Sequence, residues 1–175
     1  DIKSHAAVTY RNLGLFNEEI ALTNHIDDKI FKRDCLEIDL RIGGKPLTLY
    51  VTHFKSMTNS REAVDARLGT MPIREAEALA VRRIIEERWG ADAARRKNFA
   101  ICGDMNDYQE RVLISGDRRN GYTFTPVEEE RSALDVFSRD GFAVNPMLRR
   151  DVMDRWTLYH SRGPQEQHLC QLDYI

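Results

Sequence analysis

Hydrophobic and polar residues alternate most regularly between residues 36 and 53, and this pattern predicts a β-hairpin. In residues 36–42, Leu and Ile alternate with charged residues, the period-2 pattern of a half-buried strand. Gly43–Gly44 can form the turn, and residues 47–53 predict the returning strand. The apolar residues of the second strand share one face, and the alternation places His53 on that face where the strand ends.

A helix and a third strand are predicted after the hairpin. Pro72 is suited to the first turn of a helix, and Gly90 is suited to its end. The short apolar run at residues 98–102 predicts a buried strand. Strand, helix and strand in this order indicate a crossover unit with the helix packed on the sheet. The apolar positions that recur at helical spacing are Ile73, Ala76, Ala80 and Ile84.

The pattern is weaker in the rest of the chain. Residues 1–30 show little periodicity, and residues 108–131 are charged and predict loops. We see no internal repeat and no linker, so the chain is treated as one α/β domain over residues 1–175. The shorter elements predicted outside the central region are a strand at 6–10, a helix at 132–139, and strands at 156–160 and 169–175.

Composition and charge are those of a globular domain with no general affinity for polyanions. Hydrophobic residues make up 42% of the 175 residues and charged residues 31%. The net charge of −2 provides no overall field that would attract nucleic acid, so any contact with a polyanion must be local. The local candidates are the basic clusters at 82–83, 95–97, 118–119 and 149–150.

The three cysteines argue against a disulfide framework or a zinc site, and the longest apolar runs argue against a membrane-spanning protein. Cys35, Cys102 and Cys170 are odd in number and lack metal-type spacing, so we expect reduced, buried side chains. No apolar run approaches the length of a membrane span, and no signal peptide opens the chain. The first residue is Asp1, so the absent signal leaves the cellular compartment open.

Three short segments place polar residues at predicted strand ends: Thr52–Ser56, Gly103–Asp107 and Gln171–Ile175. Taken singly, each has an ordinary explanation. A histidine that ends a strand is commonly a surface residue, and Gly-Asp-x-Asn is compatible with an Asx turn. An aspartate within an apolar strand can simply accept hydrogen bonds from the backbone or from an arginine. At strand ends of an α/β sheet, however, these side chains can also face a ligand.

In this order, the three segments resemble the endonuclease/exonuclease/phosphatase superfamily, whose members include DNase I and sphingomyelinases. Thr52–Ser56 is similar to the family's N-H-x-K-S segment, Gly103–Asn106 to G-D-x-N, and Leu172–Ile175 to L-D-Y-I. The resemblance spans residues 31–175. It implies part of a four-layered α/β sandwich, in which two packed mixed β-sheets are flanked by helices. It also implies a single domain that is truncated at both ends.

The resemblance implies a role for four residues and a divalent cation, Mg²⁺ or Mn²⁺. Asp104 would orient or deprotonate the attacking water or help to bind the metal, and Asn106 would hold the nucleophile, a phosphate oxygen or the metal. His53 would donate a hydrogen bond to the phosphate. Asp173 would orient a separate catalytic histidine. The implied reaction is hydrolysis of a phosphodiester or phosphomonoester, with nucleic acid, phospholipid head groups and inositol phosphates as candidate substrates.

Two parts of the family pattern have no match in this chain. The family's metal-binding glutamate lies on an early strand, and neither Glu18 nor Glu19 lies in a strand-like context. The Ser-Asp-His motif that carries the catalytic histidine follows the L-D-Y-I strand, where this sequence ends. We therefore expect weak phosphoesterase activity or none from the chain as given. The alternative is a non-catalytic module that keeps part of the fold and binds anions through Lys55 and the basic clusters.

Overall fold

The structure, a computed structural model, describes residues 1–14, 28–57, 66–163 and 166–175. These residues form a mixed α/β arrangement with two β-sheets and three α-helices. The helices are α1 (Ala66–Trp89), α2 (Ala91–Ala94) and α3 (Asp135–Ser138). The strands are β1 (Ile2–Ser4), β2 (Cys35–Ile42), β3 (Lys45–His53), β4 (Phe99–Asp104), β5 (Glu110–Asp117), β6 (Gly121–Glu128), β7 (Leu158–Ser161), β8 (Gln167–Cys170) and β9 (Asp173–Tyr174).

The first sheet has the strand order β1-β2-β3-β4-β9 and contains the predicted hairpin and crossover. β2 and β3 pair antiparallel around the turn at Gly43–Gly44, and β4 lies parallel to β3 after the crossover through α1. Both predictions are confirmed. The predicted start of the helix is wrong, because α1 begins at Ala66 and Pro72 lies in its second turn. Gly90, with a φ of 80°, follows the last residue of α1 as expected.

α1 covers one face of the first sheet, and the main core lies between them. Tyr50 of β3 is fully buried there, with its ring edge-on to Trp89 at the end of α1, 6.3 Å between ring centroids. Cys35 of β2 and Val81 of α1 belong to the same core. The opposite face carries most of the apolar residues of the hairpin. Leu40 and Ile42 are exposed there, and the others are half-buried: Leu36, Ile38, Leu47, Leu49 and Val51.

The second sheet is antiparallel throughout, with the order β6-β5-β8-β7. It contains the hairpin formed by β5 and β6, so the prediction of loops over residues 108–131 is wrong. Asp117 closes this hairpin by accepting hydrogen bonds from the N–H groups of Arg119 and Asn120, at 2.7 and 2.9 Å. Nearly every residue of β6 is exposed, so burial does not impose a strong alternation on its sequence.

The last predicted strand, residues 169–175, is divided between the two sheets. β8 belongs to the second sheet and β9 to the first, and the buried side chain of Leu172 lies at the passage between them. The Met105 N–H donates to the Leu172 carbonyl, 2.8 Å, which fixes this passage beside the end of β4. One segment that was predicted as a single strand therefore contributes a strand to each sheet.

The other short predictions are partly correct. The predicted strand at 156–160 corresponds to β7, and the predicted helix at 132–139 corresponds to α3 followed by a 3₁₀ turn at Arg139–Gly141. The predicted strand at 6–10 is wrong; β1 lies earlier, at Ile2–Ser4. All three cysteines are unpaired, as predicted, with Cys102 half-buried and the other two buried.

No helix in the described ranges is long and apolar enough to cross a membrane.

Candidate functional site

His53, Asp104 and Asp173 form one row across three adjacent strands of the first sheet. His53 at the end of β3 pairs with Asp104 at the end of β4, and Asp104 pairs with Asp173 of β9. Directly paired residues point to the same face of a sheet. Three of the four predicted site residues therefore lie side by side, although they come from distant parts of the sequence. We call these three residues the polar row.

The polar row lies on the half-buried face of the sheet, opposite α1. His53 Nε2 lies 3.4 Å from Asp104 Oδ2, and the two side chains are 44% and 31% exposed. The strand register places Val51, two residues before His53, on the same face. A ligand can therefore reach the imidazole and the carboxylate from solvent, while apolar residues border them on one side.

Gly103 allows β3 and β4 to approach closely just before the polar row. Its φ is +127°, a conformation that residues with a side chain rarely adopt. A Cβ atom at this position would lie only 2.0 Å from the Thr52 carbonyl oxygen. The glycine of the Gly-Asp-x-Asn segment is thus required by the backbone geometry that sets His53 beside Asp104.

Asn106 lies next to the polar row but turns its side chain inward. Its backbone is left-handed, with a φ of 48°, and its N–H donates to Asp104 Oδ1 at 2.9 Å. Its side-chain amide is buried and donates to the Phe54 carbonyl at 3.1 Å. Arg33 donates to the same carbonyl at 2.9 Å. The bond to Asp104 is the Asx turn that the sequence left open, and it orients the carboxylate toward His53.

A buried carboxyl group on α1 holds the segment that follows β3. Glu77 is fully buried and accepts a hydrogen bond from the Lys55 N–H at 2.7 Å. Burial is the main cause that raises the pKa of Glu77 to about 7, against the lowering effect of its hydrogen bonds with backbone N–H groups and of the nearby Arg74 charge. The Lys55 side chain donates to the backbone oxygen and hydroxyl of Ser56, 3.2 and 3.3 Å.

A second buried contact of α1 holds the segment that follows β4. Asp107 is fully buried, and its carboxylate accepts a hydrogen bond from Arg67 Nε at 2.8 Å. Its other oxygen accepts from the Ser132 hydroxyl, 3.2 Å, and the Ala133 N–H, 2.7 Å. The loop that carries Asn106 is therefore tied to the helix on one side and to residues 132–133 on the other.

Asp173 is exposed, and its backbone is held by a neighbouring threonine. The Thr157 hydroxyl accepts hydrogen bonds from the N–H groups of Leu172 and Asp173, at 2.9 and 3.1 Å. Thr157 lies next to β7 of the second sheet, so this contact ties the row to that sheet as well. The sequence did not predict this contact.

The donor set of the polar row is suited to a hard divalent cation. Because the Met105 N–H bonds to the Leu172 carbonyl, the neighbouring residues Asp104 and Asp173 are a non-hydrogen-bonded antiparallel pair. The Cα atoms of such pairs are typically about 4.5 Å apart. Like charges placed directly opposite each other destabilise a sheet unless a cation offsets them. Mg²⁺ commonly takes one or two carboxylates and completes its shell with water and phosphate oxygens. In the ranges that the structure describes, no group of three or more His, Cys, Asp or Glu forms a metal site.

The residues around the row that the sequence did not predict are Arg33, Arg67, Glu77 and Asp107. Two of them lie on α1, where the apolar stripe suggests only packing against the sheet. The signal that could have found them is a charged residue at a buried helical position: Glu77 lies between the buried Ala76 and Ala78. A charged side chain at such a position requires a partner. Glu18 and Glu19, which the sequence analysis rejected as the metal-binding glutamate, lie outside the described residues.

Comparisons of the chain with family models, with characterised proteins and with solved structures find no match.

Proposed function

We propose that the chain is a metal-dependent phosphoesterase that hydrolyses a phosphate ester with an activated water. The fold we propose for it is part of the DNase I-like four-layered sandwich of two packed mixed sheets flanked by helices. The observation that carries the proposal is the polar row: His53, Asp104 and Asp173 at neighbouring strand ends, on one solvent-accessible face. Three polar side chains brought together from distant segments are unusual on a face that is otherwise apolar.

Each residue of the row has a distinct task in this proposal. His53 donates a hydrogen bond to a phosphate oxygen and stabilises the charge that develops there. Asp104, oriented by the Asn106 N–H, positions the attacking water and accepts its proton. Asp104 and Asp173 hold Mg²⁺ or Mn²⁺, which when bound reduces the repulsion between the anionic phosphate and the nucleophile. The Asn106 side chain points inward and donates to the Phe54 carbonyl, so its role in this proposal is structural.

The first test is metal-dependent hydrolysis of bis-p-nitrophenyl phosphate by the purified chain. We expect slow turnover that requires Mg²⁺ or Mn²⁺ and falls by about 100-fold or more in Asp104→Ala, the scale expected for a group that accepts the proton. Asp92→Ala is the matched control, because Asp92 is an exposed carboxylate on α2, which precedes the start of β4, whereas Asp104 is the last residue of that strand. Equal turnover in the two variants would contradict the proposal.

The second test separates the enzyme from its alternative, a module that binds anions without catalysis. Paramagnetic Mn²⁺ should broaden the NMR signals of the His53 imidazole in the native chain and leave them sharp in the double variant Asp104→Asn/Asp173→Asn. Broadening without turnover on any phosphate ester would favour the binding module, for which the inward turn of Asn106 is the supporting observation. The absence of both broadening and turnover would overturn the metal site itself.

A further inference from the structure

Two histidines lie side by side on one face of the second sheet. His160 of β7 pairs directly with His168 of β8, so both side chains point the same way. Their rings are stacked, with 4.7 Å between centroids and 27° between planes. The Arg162 N–H donates to the Glu166 carbonyl, 2.9 Å. Because hydrogen-bonded pairs alternate along an antiparallel ladder, His160 and His168 also form such a pair. We call these two residues the histidine pair.

The imidazole of His168 is buried but has no hydrogen-bond partner. The residue is only 6% exposed, and in the described part of the chain neither ring nitrogen takes part in a hydrogen bond. Buried polar groups nearly always have a partner, so an unsatisfied imidazole at this depth points to a bound water or ion. Neither nitrogen is fully enclosed by the protein, so such a partner can reach the ring from solvent.

The charges around the histidine pair are compatible with a bound cation. Burial lowers the pKa of His168 to about 4, with the His160 charge contributing, so its imidazole is neutral at pH 7, the form that binds metals. His160 is more accessible, with 29% of its side chain exposed, and its Nε2 lies 3.8 Å from Glu166 Oε1. The positive charge of Arg111 also acts on His168, but Glu129 offsets it, with 2.9 Å between Nε and Oε1.

Two imidazoles at this separation are suited to one metal ion. Nitrogens that bind one ion at about 2.0–2.1 Å lie about 3.3 Å apart in tetrahedral geometry. Rings whose centroids are 4.7 Å apart can reach that separation by rotating about their side-chain bonds. Imidazole nitrogen suits Cu²⁺, Ni²⁺ and Zn²⁺, whereas carboxylate oxygen suits Mg²⁺ and Mn²⁺. The histidine pair and the two carboxylates of the polar row therefore suit different classes of metal.

We propose that the histidine pair binds a divalent transition-metal ion, Cu²⁺, Ni²⁺ or Zn²⁺, through one ring nitrogen of each histidine. The pair supplies two ligands, fewer than the three or four of common protein zinc sites, so water completes the shell. The ladder holds both side chains in place, so the second nitrogen binds at a high effective concentration once the first is bound. The ion links β7, an edge strand, to β8 within the sheet. The proposal does not depend on the activity of the polar row.

The first test is a Zn²⁺ titration of the complete 175-residue chain, followed at the NMR signals of the His168 ring. These signals report binding at the histidine pair separately from any binding at the polar row, which belongs to the first sheet. We expect saturable shifts with Zn²⁺ and none with Mg²⁺. His160→Gln should weaken the Zn²⁺ affinity by at least about tenfold, because it removes the second ligand. Tyr159→Gln is the matched control. This exposed neighbour on β7 faces the other side of the sheet, so its replacement should leave the affinity unchanged.

Hydrogen exchange of the native chain tests whether both rings bind the same ion. The His160 N–H lies in the ladder between β7 and β8, so an ion that bridges the two strands should slow its exchange by at least about tenfold. An ion held by one ring alone would leave that exchange unchanged and overturn the proposal. The absence of shifts at millimolar Zn²⁺, as expected if His168 binds only water, would also overturn it. Equal Zn²⁺ affinities of His160→Gln and the native chain would do the same.

Discussion

Gly103 determines how closely the two central strands of the first sheet approach. The carbonyl oxygen of Thr52 occupies the space that a side chain would need, and the backbone has a positive φ. Two separate costs therefore oppose any substitution: a collision with backbone atoms, which cannot rotate away, and an unfavourable conformation. His53 and Asp104 are the next residues along these strands, so a displacement here would separate the first two members of the polar row.

We predict that Gly103→Ala destabilises the fold by about 3 kcal/mol or more, because the collision adds to the conformational cost. Gly90→Ala is the matched control. Gly90 also has a positive φ, +80°, but no atom lies within 4 Å of the added Cβ. That variant should lose only about 1–2 kcal/mol. Urea unfolding of both variants measures the difference, and similar losses would show that the close approach at Thr52 is relieved by a small shift of the strands.

α1 acts on the site through two buried charged contacts, although it lies on the face of the sheet opposite the polar row. Glu77 holds the segment after β3, and Arg67, about 15 Å away along the helix, holds the loop after β4 through Asp107. The ends of β3 and β4, which carry His53 and Asp104, are therefore both fixed to α1. A helix that is continuous from one anchor to the other keeps the spacing between these two segments constant.

We predict that Arg67→Met destabilises the protein by about 3–5 kcal/mol, because the buried Asp107 carboxylate loses the cation that is hydrogen-bonded to it and keeps only Arg74, whose Nε lies 3.9 Å away. Arg131→Met is the control. It removes the exposed salt bridge to Glu75 and should cost no more than about 1 kcal/mol. Thermal unfolding of the two variants provides the comparison. A small effect of Arg67→Met would show that Arg74 and the N–H and hydroxyl donors from residues 132–133 are sufficient for Asp107.

The sequence predicts the elements whose apolar residues recur with a regular period and misses those whose residues do not. The alternation from residue 36 to residue 53 is sufficient for the hairpin, and helical spacing is sufficient for the crossover. β5 and β6 escape prediction because much of the hairpin is exposed on both faces, so charged residues and Pro126 are tolerated within it. The division of residues 169–175 between the two sheets is not predicted for a different reason. An apolar run contains no information about which sheet each part joins.

The same distinction applies to the site. His53, Asp104 and Asp173 are predictable because each interrupts or ends an apolar strand. Their side-by-side placement depends on strand register, which a single sequence does not contain. The inward turn of Asn106 is likewise a tertiary contact, with the Phe54 carbonyl as its partner. Residue types thus identify the candidates, whereas pairing between distant strands decides which of them meet.

At the scale of the whole molecule, stability should depend on pH through two buried groups with opposite effects. The raised pKa of Glu77, about 7 against 4.5 in the unfolded chain, makes the folded state bind more protons, so stability falls as pH rises through this window. Burial lowers the pKa of His168 to about 4, with the His160 charge contributing, so stability falls as pH drops from 6.5 toward 4.

We predict that Glu77→Gln gains stability relative to the native chain as pH rises between about pH 5 and pH 8, by at most about 3 kcal/mol. Glutamine keeps an acceptor for the Lys55 N–H and does not ionise. Because both proteins retain His168, its contribution cancels in the difference between the two free energies of unfolding. Urea unfolding across this range measures it, and a constant difference would show that Glu77 ionises normally in the folded state.

The passage of the chain between the sheets at Leu172 also determines when the polar row can form. Its members are separated by roughly fifty and seventy residues along the chain, and contacts of such long range form slowly because they require large loops to close. Asp173 reaches the row only when β8 and β9 occupy their separate sheets. We therefore expect the row to be completed late in folding, so that a partly folded chain exposes His53 and Asp104 without Asp173. The complete row is therefore present only when both sheets have formed.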